Sequence, residues 1–208
     1  FHTIRLDASE VTRPGIAVSP DGKLLVFSML GHLFQVPVEG GAAKQLTFGF
    51  SYDSEPVLSP DGGRVAFISD RDGSGGNVFV LDLATRRLNQ ITHEELAAGP
   101  HWSPDGRTLS VVRSVRSPQA APRPVLTLID VASGALSERA RAWDRWPTQP
   151  EWSLDGRHLL LCADDRGLTL PYAIEASEPQ ALPRPLAAVA GTYAGLVALT
   201  GGRVAAIG

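Results

Sequence analysis

Apolar residues in this chain fall in short runs broken by polar turns rich in glycine and proline, a pattern of strands rather than helices. Residues 57–92 show it most clearly. Val57-Leu58-Ser59 ends an inner strand, Pro60-Asp61-Gly62 turns the chain, and Arg64–Ser69 forms the next strand. A polar, glycine-rich loop at 70–76 leads to a third strand at Asn77–Leu83, and Leu88–Thr92 forms the outer one. Four strands joined by short turns predict an antiparallel meander, the unit of a propeller blade.

The unit recurs. Ser-Pro-Asp-Gly begins at Ser19, Ser59 and Ser103 and returns as Ser-Leu-Asp-Gly at Ser153, at intervals of 40, 44 and 50 residues. Proline fixes φ at the first central position, aspartate caps local amides, and glycine accepts the positive φ that closes the turn. The leading serine can bond to the turn backbone as well. This chemistry gives Asp21, Gly22, Asp61, Gly62, Asp105, Gly106, Asp155 and Gly156 a structural role, not a catalytic one.

The other units follow the same plan with local departures. The first places strands at Leu24–Ser28, His32–Val38 and Lys44–Thr47. In the third, the prolines between Ser114 and Pro124 predict a protruding hairpin loop, with the strand resuming at Val125. The fourth has strands at Arg157–Ala163 and Leu168–Ile174, then a weakened outer region at Gln180–Pro185. A fifth opens at Leu196–Leu199, with Thr200-Gly201-Gly202 in place of the turn motif and Arg203–Ile207 after it.

The expected fold is therefore all-β: a partial β-propeller over residues 1–208 built of four-stranded antiparallel blades. The repeats run approximately 14–50, 51–93, 94–143 and 144–190, with 191–208 incomplete, which makes about four and a half blades. Repeat arrays need neighbours to cover their apolar faces, so the native ring is expected to be longer, with six or seven blades. An apolar blade edge is expected near Val197–Ile207 unless further polypeptide covers it.

Charge and composition narrow the functional classes. Nineteen basic and 22 acidic residues give a net charge of -3, with no Lys/Arg cluster of the kind that marks a nucleic-acid footprint. No apolar run approaches the ~20 residues of a membrane span. Cys162 is the single cysteine and sits in an apolar run, as a small buried hydrophobe does.

Candidate site residues come from the strand alternation and the loops. Trp102 and Trp152 precede Ser103 and Ser153 at the position that holds Val18 and Leu58 elsewhere, a core position between blades. One step earlier stand Ala17, Val57, His101 and Glu151, a mixed series expected to line the channel, with His101 and Glu151 close enough to pair. Loops before the inner strands open on one face and carry Phe48, Phe50, Tyr52, Asp53 and Glu55, then His93, Glu94 and Glu95, then Trp143, Asp144, Arg145 and Trp146. Aromatic and charged residues on loops suit a recognition surface, although ordinary loop anchoring is the simpler reading. The channel and binding-face candidates are thus His101, Glu151, Tyr52, Asp53, Glu55, Trp143 and Trp146.

Reactive chemistry finds no foothold. His2, His32, His93, His101 and His158 lack metal-ligand spacing, and the calcium-like run Asp70–Asn77 lacks its terminal glutamate. Gly73-Ser74-Gly75 is too short for a nucleophile elbow, and Gly40-Gly41 lacks the P-loop lysine. No catalytic residue, metal or cofactor is expected.

Ser-Pro-Asp-Gly-Lys-Leu-Leu-Val-Phe from Ser19 and Ser-Pro-Asp-Gly-Gly-Arg-Val-Ala-Phe-Ile-Ser-Asp-Arg-Asp-Gly from Ser59 resemble the repeats of TolB-like (PD40, WD40-like) propellers. The first unit, with His32-Leu33-Phe34-Gln35-Val36-Pro37, Gly40–Thr47 and Asp53-Ser54-Glu55-Pro56, looks like the first blade of bacterial proteins joining such a propeller to an amidohydrolase barrel. That resemblance implies a noncatalytic accessory or gating domain of a larger exported hydrolase, periplasmic or secreted. Its partners would be the remaining blades, a catalytic domain, or a protein or peptide. Two alternatives stay open: a TolB-type periplasmic interaction propeller, and the gating propeller of a prolyl-oligopeptidase-like serine peptidase.

Overall fold

The computed structural model describes residues 15–93, 96–117, 120–186, 192–193 and 195–207. Strands β1 (Ile16–Val18), β2 (Leu24–Met29), β3 (His32–Pro37) and β4 (Lys44–Gln45) form the first sheet. The second holds β5 (Asp53–Leu58), β6 (Arg64–Ser69), β7 (Asn77–Asp82) and β8 (Leu88–Gln90). The third holds β9 (Leu96–Trp102), β10 (Thr108–Ser117), β11 (Ala120–Asp130) and β12 (Leu136–Glu138). The fourth holds β13 (Pro147–Trp152), β14 (His158–Asp165), β15 (Leu168–Glu175) and β16 (Arg184–Pro185). A final hairpin pairs β17 (Gly195–Leu199) with β18 (Arg203–Ile207) across a 3-10 turn at Thr200–Gly202. Every pairing is antiparallel between consecutive strands, so each sheet is a meander and the chain is a partial propeller.

The core lies between sheets because both faces of each central strand are apolar. In β6, Val65 and Phe67 pack toward Val26 and Leu33 of the first sheet, while Ala66 and Ile68 pack toward Leu109 and Val111 of the third. The next layer joins Leu126 and Leu128 to Leu159 and Leu161, and the last joins Leu160 and Cys162 to Leu196. Burial pushes the Cys162 thiol pKa up, in keeping with an inert core position. Apolar side chains at the two ends of the arc are exposed, among them Ile16 and Val18 on β1 and Val197 and Val204 on the last hairpin.

Two expectations need correction. Residues 114–117 and 120–124 are strand rather than loop: Ser114 pairs with Pro124, Val115 with Arg123 and Ser117 with Ala120, so β10 and β11 continue the ladder of one long hairpin. Prolines 122 and 124 fit because β11 at that end is an outer edge, where no ladder hydrogen bond is required of them. Asp53 and Glu55 also lie within inner strand β5 rather than in the preceding loop. A register shift between Ser54 and Val57, with Glu55 at φ 52°, interrupts the alternation that would have revealed it.

The four Asp-Gly turns share one hydrogen-bond plan. Each serine hydroxyl donates to its aspartate Oδ1 at 2.5–2.6 Å and accepts the backbone amide of Leu24, Arg64, Thr108 or His158 at 2.8–2.9 Å. The same aspartates accept amides of Lys23, Gly63, Arg107 and Arg157. Glycine is required at the fourth position, where φ is 68–71°. The requirement is conformational rather than steric, since a Cβ on Gly62 would make only ordinary van der Waals contact, 3.5 Å from Pro20 Cδ of the preceding turn. The same holds for Gly106 against Pro60 and Gly156 against Pro104, each at 3.6 Å. Proline of one turn thus seats on glycine of the next.

Those bonds make the turns sensitive to acid. The serine hydroxyl first, then the backbone amide, hold Asp21, Asp61, Asp105 and Asp155 below the ordinary aspartate pKa. A pKa lowered in the folded state contributes stability above the unfolded value of about 4, and that contribution is lost as pH falls through the folded value. Urea midpoints are expected to fall below about pH 4. Ser59→Ala should lower stability by about 1–2 kcal/mol at pH 7 and by less at pH 3.

Candidate functional site

The inner strands converge on a cavity of about 690 Å³ whose wall includes Ile16, Pro56, Val57, Pro100, His101 and Pro150. Its shape depends on repeated bulges. Register shifts in β5, in β9 and in β13 fall at Glu55-Pro56, Gly99-Pro100 and Gln149-Pro150, each proline three residues before a turn serine. These bulges were not anticipated, yet the recurring proline at that offset was a readable signal. They also interlock: Glu55 Oε2 accepts the Gly99 amide at 2.7 Å, and a Cβ on Gly15 would approach Pro56 Cδ to 2.9 Å.

His101 and Glu151 come together across the third and fourth sheets, with Nδ1 3.0 Å from Oε2 and about a third of each side chain exposed. The carboxylate orients the imidazole with Nδ1 toward itself, which leaves Nε2 for another partner. The backbone here is also bridging. Trp102 Nε1 donates to the Val57 carbonyl at 3.2 Å, and Trp152 Nε1 donates to the His101 carbonyl at 3.3 Å. Both tryptophans are buried between sheets. Arg64 stacks on the Trp102 ring at 4.7 Å and donates to the Gly106 carbonyl at 2.8 Å. Alternation therefore sends the tryptophan into the blade interface and turns His101 and Glu151 the other way, where they meet each other.

The loop-face candidates separate into anchors and exposed groups. Asp53 is buried, accepting two bonds from Arg71 Nη2 at 2.7 and 2.8 Å and one from the Ser69 hydroxyl at 2.6 Å. Its carboxylate is consumed inside the blade. Trp143 packs edge-on against Tyr172 with ring centroids 5.0 Å apart, a half-buried anchor for the fourth blade. Burial, with the Asp165 charge, pushes the Tyr172 phenol above its ordinary pKa. Arg145 bridges Asp144 and Asp165. Phe48, Phe50, Tyr52 and Trp146 remain exposed. Glu94 and Glu95 lie outside the described residues. Among those described, no three His, Cys, Asp or Glu side chains group to hold a metal ion, and no helix is long and apolar enough to cross a membrane.

The family model for the TolB β-propeller domain, PD40, matches residues 10–121, more than half of the chain. The chain belongs to this family. A solved TolB-type protein of Agrobacterium tumefaciens superposes with a TM-score of 0.74 at 18% identity, over 89% of this chain and 65% of that one. At that identity the likeness is one of fold. Among curated proteins, dipeptidyl-peptidase 5 of Trichophyton schoenleinii is 29% identical over 79% of this chain and 24% of its own length. The peptidase YuxL of Bacillus subtilis is 28% identical over 62% of this chain and 21% of its own length. This TolB-family chain thus spans about a quarter of the length of the curated relatives it matches, and it is related both to TolB propellers and to a propeller portion of larger peptidases.

Proposed function

We propose that this chain is the noncatalytic propeller of a larger peptidase-type hydrolase, acting through domain packing, substrate access and protein contact. One observation carries the reading. The relatives that align over most of this chain are peptidases, yet the similarity occupies only 24% and 21% of their lengths. It favours the serine-peptidase alternative over the amidohydrolase association that the first blade suggested. The reactive group would belong to a separate domain, while the proline-lined channel, with His101 at its wall and Glu151 paired to that histidine, would restrict which peptides reach it. The remaining blades and that catalytic domain are the partners of this reading, and an exported location accompanies it.

Hydrolysis assays test it. The 208-residue chain is expected to leave dipeptidyl anilides and longer peptides uncut, while the longer parent polypeptide cleaves them. Turnover by the chain alone, lost in His101→Ala or Glu151→Gln, would overturn the reading. A TolB-type interaction propeller is the second reading, favoured by the family match and by the 0.74 TM-score. It predicts a parent without hydrolytic activity.

A further inference from the structure

On the loop leading from β4 to β5, three aromatic side chains stand exposed within five residues: Phe48, Phe50 and Tyr52. Phe50 is fully in solvent. Large aromatic rings left in water at one place, unlike scattered aliphatics, mark contact surfaces. Two further facts single out this loop. The buried side-chain atoms without a hydrogen-bond partner among the described residues are Ser51 Oγ and His32 Nδ1. Ser51 lies between two of these aromatics. His32 follows Gly31, whose backbone is so close that an added Cβ would meet the Ser51 carbonyl at 2.9 Å. Unsatisfied buried polar atoms are uncommon in native proteins, and a pair at the base of one exposed loop calls for an explanation.

The local charge indicates what the loop would hold. Asp70 is exposed and accepts the Tyr52 amide at 2.7 Å, which fixes a carboxylate beside the aromatic strip. Asp72, also exposed, is hydrogen-bonded to Ser74, Asn77 and Gln90 rather than to a cation. The nearby Arg71 is committed to Asp53, so it does not offset them. Aromatic faces next to a carboxylate favour lysine or arginine through cation–π and charge attraction. We propose that loop 48–52 is a docking strip for a basic peptide segment of a partner protein. Its apolar and cationic side chains would cover Phe48, Phe50 and Tyr52, and its backbone would satisfy Ser51 Oγ and His32 Nδ1 as the loop opens. The proposal does not depend on whether the parent is a peptidase.

An array of blocked hexapeptides carrying from none to three arginines or lysines tests this with the full chain. Binding is expected to rise with basic content and to weaken as salt is raised. Citrulline or acetyl-lysine replacement, Asp70→Asn, or the pair Phe48→Ala and Phe50→Ala should each weaken it roughly tenfold. Because Phe48 and Phe50 are exposed, their replacement is expected to leave the thermal midpoint unchanged. The His32 imidazole nitrogen resonances should shift on peptide addition. Equal binding of neutral and basic peptides, no binding above background, or affinity unchanged in the phenylalanine double variant would overturn the proposal. So would loss of self-association, or of contact with the parent's own catalytic part, in that variant without loss of peptide binding.

Discussion

Trp102→Ala is expected to destabilise the chain by about 3–5 kcal/mol, the cost of removing a large buried aromatic with incomplete collapse of the cavity. The indole is three things at once in the blade interface. It fills the layer between the second and third sheets, ties its Nε1 to Val57 of the inner strand before it, and supports the Arg64 guanidinium. Trp102→Phe separates these roles. It keeps most of the apolar contact and loses the hydrogen bond, so a cost of about 1–2 kcal/mol is expected. Urea denaturation followed by far-ultraviolet circular dichroism would measure both. A loss below about 1 kcal/mol for Trp102→Ala would mean that the interface is not held as described.

The second large effect is expected at Asp53. Asp53→Ala leaves Arg71, whose side chain is only 19% exposed, without its counter-charge, and it strips the Ser69 hydroxyl of its acceptor. Breaking one side of a buried pair costs about 3–5 kcal/mol because the remaining charge is stranded. Arg71→Met in the same chain should recover part of that loss, since Arg71 already lies over the Phe67 and Phe79 rings and a thioether can occupy the same apolar surface. A double-mutant cycle in which the two changes simply add would contradict the pairing.

How far the sequence revealed these features depended on whether the signal was local. The blades were legible because each Asp-Gly turn is specified by residues within six positions, and Gly22, Gly62, Gly106 and Gly156 all adopt the positive φ their type implies. The tryptophan positions and the approach of His101 to Glu151 followed from alternation carried across repeats. The same alternation fails upstream of Pro56, where a bulge adds a residue and reverses the side-chain direction, so the pattern alone places Asp53 on a surface loop. The long third hairpin was hidden for a related reason. Pro122 and Pro124 are breakers in a central strand but are tolerated on an edge, and β11 has an edge there only because its partner β12 is short and pairs with Thr127–Ile129 alone. Contacts such as Arg64 to Gly106, 42 residues apart, carry no local signature. The two loop tryptophans were alike in sequence. Tyr172, on a distant strand, covers Trp143 and leaves Trp146 exposed.

Under the proposed function, the reactive chemistry of a longer parent protein would lie outside this propeller. Labelling the parent polypeptide with a fluorophosphonate, which reacts with activated serines, and mapping the modified peptide by mass spectrometry tests it most directly. The account predicts one labelled serine outside residues 1–208 and no labelling of the 208-residue chain by itself. Stoichiometric labelling of a serine within the propeller would contradict it.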